Sequence, residues 1–99
     1  MRISPQDRAI IRQATQEVAG AGARALLFGS RTRDELRGGD IDLLIELPAP
    51  AEDALELSLR LSARIQRRIG LRKIDVLIAD PASSDSPLLR QARREAVAI

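Results

Sequence analysis

The chain has no cysteine, no histidine, a single aromatic residue (Phe28) and one lysine, Lys73, against 15 arginines. Without cysteine there is neither a disulfide nor a thiol nucleophile. Without histidine there is no imidazole base, and without both there is no ordinary zinc site. One aromatic side chain supplies no stacking platform of the kind single-strand nucleic-acid binders use. Long apolar runs are also missing: the longest is a few residues, far below the roughly 20 that a membrane span requires. No N-terminal stretch has the apolar centre of a signal peptide, so the expected location is the cytoplasm.

Chemistry therefore falls to carboxylates, hydroxyls, arginines and one lysine. Carboxylate oxygens favour hard cations such as Mg²⁺. The net charge is only +2, so the pI near 10.3 reports the high pKa of arginine and not a broad cationic field. General nucleic-acid binding is disfavoured on that ground as well as by the lack of aromatics. With 99 residues, 44% hydrophobic and 30% charged, the chain is expected to form one domain over residues 1–99. A chain of this length buries about two-thirds of the surface exposed when unfolded, enough for one core and not two.

Ser4-Pro5 reads as an N-cap with proline at the first helical position, and Ile10 or Ile11, Ala14 and Val18 recur at helical spacing until Gly20 and Gly22. Leu26-Leu27-Phe28 reads as a short buried strand. Arg31 to Arg37 is charged and suits a short exposed helical turn, broken by Gly38-Gly39. A second strand is expected from Asp40 to Leu47, with Ile41, Leu43 and Ile45 on one face and Asp40, Asp42 and Leu44 on the other. A helix is expected from Glu52 to Ile69, where Leu57, Leu61, Ile65 and Ile69 repeat at i+4 with Leu55 and Leu59 alongside. Lys73 to Ala79 repeats the pattern of the second strand and carries Asp75 opposite its aliphatic set. Asp80-Pro81 and Ser83-Ser84-Asp85 read as a loop, and Ser86-Pro87 opens a last helix with Leu88, Leu89, Ala92, Ala96 and Val97. The fold class expected from this order is α/β (α+β), a small mixed sheet with helices packed on one face and the aspartates on the other.

Gly29-Ser30 follows an apolar strand, and after a spacer of nine residues Asp40-Ile41-Asp42 opens the next one. Aspartate is depleted in strands because its side chain competes for backbone hydrogen bonds. Asp40 and Asp42 also share a face, where like charges repel unless a cation lies between them. A third carboxylate, Asp75, from a neighbouring strand would complete an open divalent-metal site. A Gly-Ser turn does the complementary work, since glycine admits close approach of an oxyanion and backbone N–H groups and the Ser30 hydroxyl donate to it. Arg31 and Arg33 suit triphosphate charge, with Arg72 and Lys73 as weaker candidates. Taken singly, each of these elements is most often a plain turn, an exposed strand residue or a solvated face; their joint order and spacing are what point to chemistry.

From Ala25 through Ala79 the chain resembles the DNA polymerase β-like nucleotidyltransferase superfamily, and its shortness resembles the minimal nucleotidyltransferase (MNT) branch. The resemblance implies that Gly29 and Ser30 form the phosphate-binding turn, that Asp40 and Asp42 are metal ligands, and that Asp75 is the third carboxylate and helps deprotonate the acceptor hydroxyl. Two positions depart from the family pattern: the nine-residue spacer, where ten is frequent, and Gly39, where a small hydroxyl residue often precedes the first aspartate. Neither removes a ligand. The resemblance further implies Mg²⁺ or Mn²⁺ as cofactor, ATP or another NTP as donor, and transfer of AMP to a hydroxyl on a partner. That partner is expected to be a HEPN-type helical toxin, with this chain as its antitoxin. A non-catalytic antitoxin acting by occupation is the alternative, with Leu55, Leu59 and Leu88 as contact candidates, and a subunit modifying an aminoglycoside is a third reading. No tyrosine is present, so tyrosine modification would fall on the partner.

Overall fold

A computed structural model describes residues 3–28, 41–70, 73–82 and 86–99. The order of elements is α1 (Pro5–Ala19), β1 (Arg24–Phe28), β2 (Ile41–Glu46), α2 (Ala54–Ile69), β3 (Ile74–Ala79), α3 (Pro87–Glu95) and β4 (Val97–Ala98). The expected short helical turn at Arg31–Arg37, the Gly38-Gly39 break and the Ser83-Ser84-Asp85 loop lie outside the described residues.

All three helices start where a side chain caps the first turn. The Ser4 hydroxyl accepts from the Asp7 amide at 3.0 Å, the Asp53 carboxylate from Glu56 at 3.0 Å, and the Ser86 hydroxyl from Leu89 at 3.1 Å. Each bond satisfies an amide that has no partner within the helix. α1 and α2 stop at Gly20 and Gly70, whose φ angles of 100° and 98° suit a residue without Cβ. A different constraint acts at Gly22, where an added Cβ would lie 2.9 Å from Cγ of Pro48.

The sheet is mixed, in the order β3-β2-β1-β4. β1 runs antiparallel to both β2 and β4, while β2 and β3 run parallel and are joined through α2. α1 and α2 follow the expected one-sided arrangement. Ile11, Ala14, Leu61 and Ile65 bury against Leu27, Ile41, Leu43, Ile45 and Ile74, so the aliphatic face of the sheet becomes the main core. Burying one such side chain contributes about 1.5–3 kcal/mol. α3 departs from that arrangement: Leu89 and Ala92 pack with Leu44 and Ala79, beside Leu26, Phe28 and Leu77, on the other face. The cause lies in the strands, because Leu44, Leu77 and Ala79 alternate onto the aspartate face and are apolar, and α3 covers them.

A second difference concerns the last helix. Its expected stripe ran through Val97, but α3 ends at Glu95 and Val97–Ala98 pair with Leu27 and Leu26. The Ile99 amide extends the pairing to the Ala25 carbonyl at 3.3 Å, and Ile99 joins the main core. Without that pairing, this edge of β1 would present a row of unmatched backbone groups, and satisfying them overrides the helical spacing.

Between the helices, Glu17 of α1 receives Arg64 at 2.9 Å and Arg68 at 2.8 Å, two residues one turn apart on α2. The Arg68 hydrogen bond, then that of Arg64, holds the Glu17 carboxyl below its ordinary range against the opposing effect of desolvation. A depressed carboxyl pKa favours the folded state above the unfolded value, near 4.3 for glutamate, and that contribution is lost as pH falls through the folded pKa. Glu17→Gln is expected to lower Tm slightly at pH 7. The gap from the parent protein should close as melts are repeated down to pH 3, and a gap independent of pH would contradict the assignment.

Candidate active site

The three sheet registers fix where the carboxylates stand. Parallel pairing sets Asp42 opposite Asp75, and antiparallel pairing sets Asp42 opposite Phe28. Register partners on neighbouring strands share a face, so Asp42 and Asp75 are side by side on the face opposite the main core. Phe28 is the last residue of β1, so the chain passes into Gly29 at the level of Asp42. The local sequence explains this placement. Ile41 and Leu43 occupy the core face of β2, and Ile74 and Val76 that of β3. Alternation then leaves Asp42 and Asp75 no position except the outer face.

Asp42 is half-buried, whereas the Asp75 side chain is 55% exposed. Lys73 stands 3.9 Å from Asp75, with its own side chain 67% exposed, a distance too long for a strong hydrogen bond. Such a solvated contact contributes little to stability and leaves both groups open to a ligand. α3 covers the other half of this face, since its contacts are Leu44 and Ala79, toward the carboxyl ends of β2 and β3. The carboxylate pair stands at the amino ends, which no helix among the described residues covers.

Gly29, Ser30, Arg31, Arg33, Asp40 and Arg72 lie outside the described residues. Among the described residues, no group of three or more carboxylates gathers as a metal site; Asp42 and Asp75 contribute two carboxylates to this patch. Their chemistry fits a hard cation, because both donors are carboxylates and the chain has neither cysteine nor histidine. A separate cleft of about 440 Å³ lies at the carboxyl end of β2, between α1 and α2, lined by Val18, Leu47, Pro48, Leu57 and Arg60. That cleft is at the opposite end of the sheet from Asp42. It carries Glu52 and Glu56 on its rim, but Asp53 beside them is occupied in capping α2.

Asp80 is a functional carboxylate of another kind, and the sequence reading treated it only as part of a loop. One of its oxygens accepts from the Ala51 amide at 2.7 Å and the other from Ala82 at 2.9 Å. It ties the loop after β2 to the turn after β3. The Asp80-Pro81 pair signals the turn, but the bond to Ala51 spans 29 positions and has no local signature.

No curated protein matches the chain. A model of the nucleotidyltransferase domain family matches residues 8–98, a span that includes the Gly-Ser segment, both described aspartates, every strand and all of α2 and α3. No helix among the described residues is long and apolar enough to cross a membrane. A mixed sheet with its carboxylates paired across parallel strands, beside the exit of an antiparallel one, is the frame on which that match lies, and the chain belongs to the nucleotidyltransferase domain family of the polymerase β-like superfamily.

Proposed function

We propose that this nucleotidyltransferase moves AMP from ATP to a side-chain hydroxyl of a partner protein, as the antitoxin of a HEPN-type toxin in the MNT manner. The observation that carries the catalytic part is the register of Asp42 with Asp75, next to the strand end that leads into Gly29-Ser30. Nucleotide transfer as such follows from the family. The donor, the acceptor and the residue roles are the proposal.

Asp40, Asp42 and Asp75 would hold Mg²⁺ or Mn²⁺, which supplies charge neutralisation and a more acidic acceptor hydroxyl. Gly29 brings backbone amides close to the β- and γ-phosphates, and the Ser30 hydroxyl donates to one of their oxygens. Arg31 and Arg33 offset the remaining triphosphate charge. Asp75, the more exposed of the two described carboxylates, takes the proton of the acceptor hydroxyl. The acceptor oxygen then bonds to the α-phosphorus, the bond to the bridging α–β oxygen breaks, and pyrophosphate leaves. Docking of the partner over the amino ends of β2 and β3 supplies orientation, which accounts for much of the rate in such transfers.

Thermal melts test the metal-bridged site. ATP with Mg²⁺ is expected to raise Tm, whereas ATP with a chelator does so far less, because the aspartates repel a bare triphosphate. At a hundredfold excess over Kd the stabilisation is about 2.7 kcal/mol, a shift on the order of 10 °C for a domain of this size. Equal shifts with and without metal would rule the site out.

Asp42→Asn keeps the side chain's size and removes the charge that fixes the cation. It is expected to reduce transfer to background while Tm stays within a few degrees of the parent. Transfer at the parental rate would remove Asp42 from the mechanism. Asp75→Asn is expected to behave alike.

The partner is tested by intact mass. Incubation with a co-encoded helical protein, ATP and Mg²⁺ is expected to add AMP to that protein and to abolish its toxicity. An unmodified partner, together with neutralisation that survives Asp42→Asn, would establish the occupation-only antitoxin in place of the enzyme.

A further inference from the structure

We infer that the outer edge of β3, with the adjoining flank of α2, is the interface through which two copies of this chain pair about a two-fold axis. The inference is independent of the catalytic reading. β3 ends the sheet, and among the described residues it pairs with β2 alone. The Ile41 amide donates to the Lys73 carbonyl at 2.9 Å and the Leu47 amide to the Ala79 carbonyl at 2.8 Å. Backbone direction alternates along a strand, so Lys73, Asp75, Leu77 and Ala79 turn their backbone groups toward β2, and Ile74, Val76 and Ile78 turn theirs outward. Three consecutive outward positions, all β-branched, form an edge of the kind proteins usually blunt with proline, a bulge or charge. None of those devices is present between Ile74 and Ala79 other than Asp75, whose backbone faces inward.

The helix above this edge is equally unguarded. Arg64 and Arg68 turn toward α1, where they meet Glu17. At 100° per residue, Leu55, Ser58, Leu59 and Ser62 fall on the opposite flank, toward the β3 side. Leu55 is 70% and Leu59 60% exposed. The two serine hydroxyls are bonded back to the Leu55 and Leu59 carbonyls, at 2.7 and 3.1 Å, and the remaining polar side chain of this flank, Gln66, is uncharged. It bears no charge, although all five charged residues of α2 lie elsewhere around the helix. Loss of charge is the compositional mark of an interface centre.

A second copy fits both layers at once. Antiparallel pairing on Val76 sets Ile74 opposite Ile78 of the second copy and gives all three outward residues backbone partners. It also brings the Lys73 end of each strand to the Asp80 end of the other, whereas parallel pairing would oppose lysine to lysine. Sliding the register by two positions toward the strand's start would set Asp75 against its own copy, which like charge disfavours. The strand is about 20 Å long and the helix about 24 Å, so the two layers offer a second copy one continuous wall. The two-fold axis is perpendicular to the sheet, so both carboxylate faces stay on one side of an eight-stranded sheet.

Sedimentation equilibrium of the full chain from 1 to 200 μM, with backbone hydrogen exchange at both ends of that range, tests the inference. The expected mass rises to twice the 10.8 kDa of one chain, and protection of the Ile74, Val76 and Ile78 amides rises with it. Val76→Pro removes an outward donor, which an edge strand tolerates, together with a valine side chain packed against the main core, whereas Leu59→Glu places charge on the exposed flank without touching the core. Both are expected to leave the circular dichroism unchanged and to weaken association at least tenfold. Should Val76→Pro fail to fold, Leu59→Glu decides alone. A monomer at 200 μM, a dimer that both substitutions leave intact, or protection confined to other strands would overturn the inference.

Discussion

The parallel pairing of β2 with β3 is the constraint from which the rest of the molecule follows. Two strands running the same way need a crossover, and α2 is that crossover; its aliphatic stripe then requires the core face of the sheet. The same pairing brings Asp42 level with Asp75, although 32 residues intervene between them in sequence. Slipping the register by one position would turn one strand's aspartate into the core and its isoleucines into water. Burial of Ile41, Leu43, Ile45 and Ile74 therefore holds the carboxylates in place. Core packing and site geometry are one interaction seen from two faces.

The helices divide the labour accordingly. α1 and α2 seal the aliphatic face and are clamped together by Glu17. α3 covers only the apolar half of the other face, through Leu89 and Ala92, and leaves the charged half open. A helix over the whole of that face would bury Asp42 and Asp75 at the desolvation cost of two carboxylates.

Much of this was legible in the chain. Ser4, Ser86, Gly20 and Gly70 mark helix ends through local chemistry that does not depend on the fold, and the structure has all four in those roles. Alternation in Ile41–Glu46 and Ile74–Ala79 correctly separated core from outer face, because a strand has only two faces. The nucleotidyltransferase family was legible from the spacing of Gly29-Ser30, Asp40-Ile41-Asp42 and Asp75, and the family match agrees. What escaped depends on distant partners. Val97 belongs to a strand only because β1 offers it an edge, and α3 lies on the aspartate face only because Leu44, Leu77 and Ala79 are gathered there by two separate strands. Neither fact leaves a mark in the local pattern. Leu55 and Leu59 fit a helical stripe equally well as core or as surface, and the position of α1 on the other flank decided between them.

Asp80 fastens one end of the molecule across the sheet. Its two bonds, to Ala51 and Ala82, lock the loops where β2 and β3 finish, while the aspartate pair stands where those strands begin. A displacement on ligand binding is then expected to be smaller at the locked end than beside the aspartate pair, much as a pair of tongs moves least at its rivet. A fluorescent or spin label on the Pro48–Asp53 loop then serves as a stationary reference, against which movement near Phe28 and Ile41 can be measured within a single molecule.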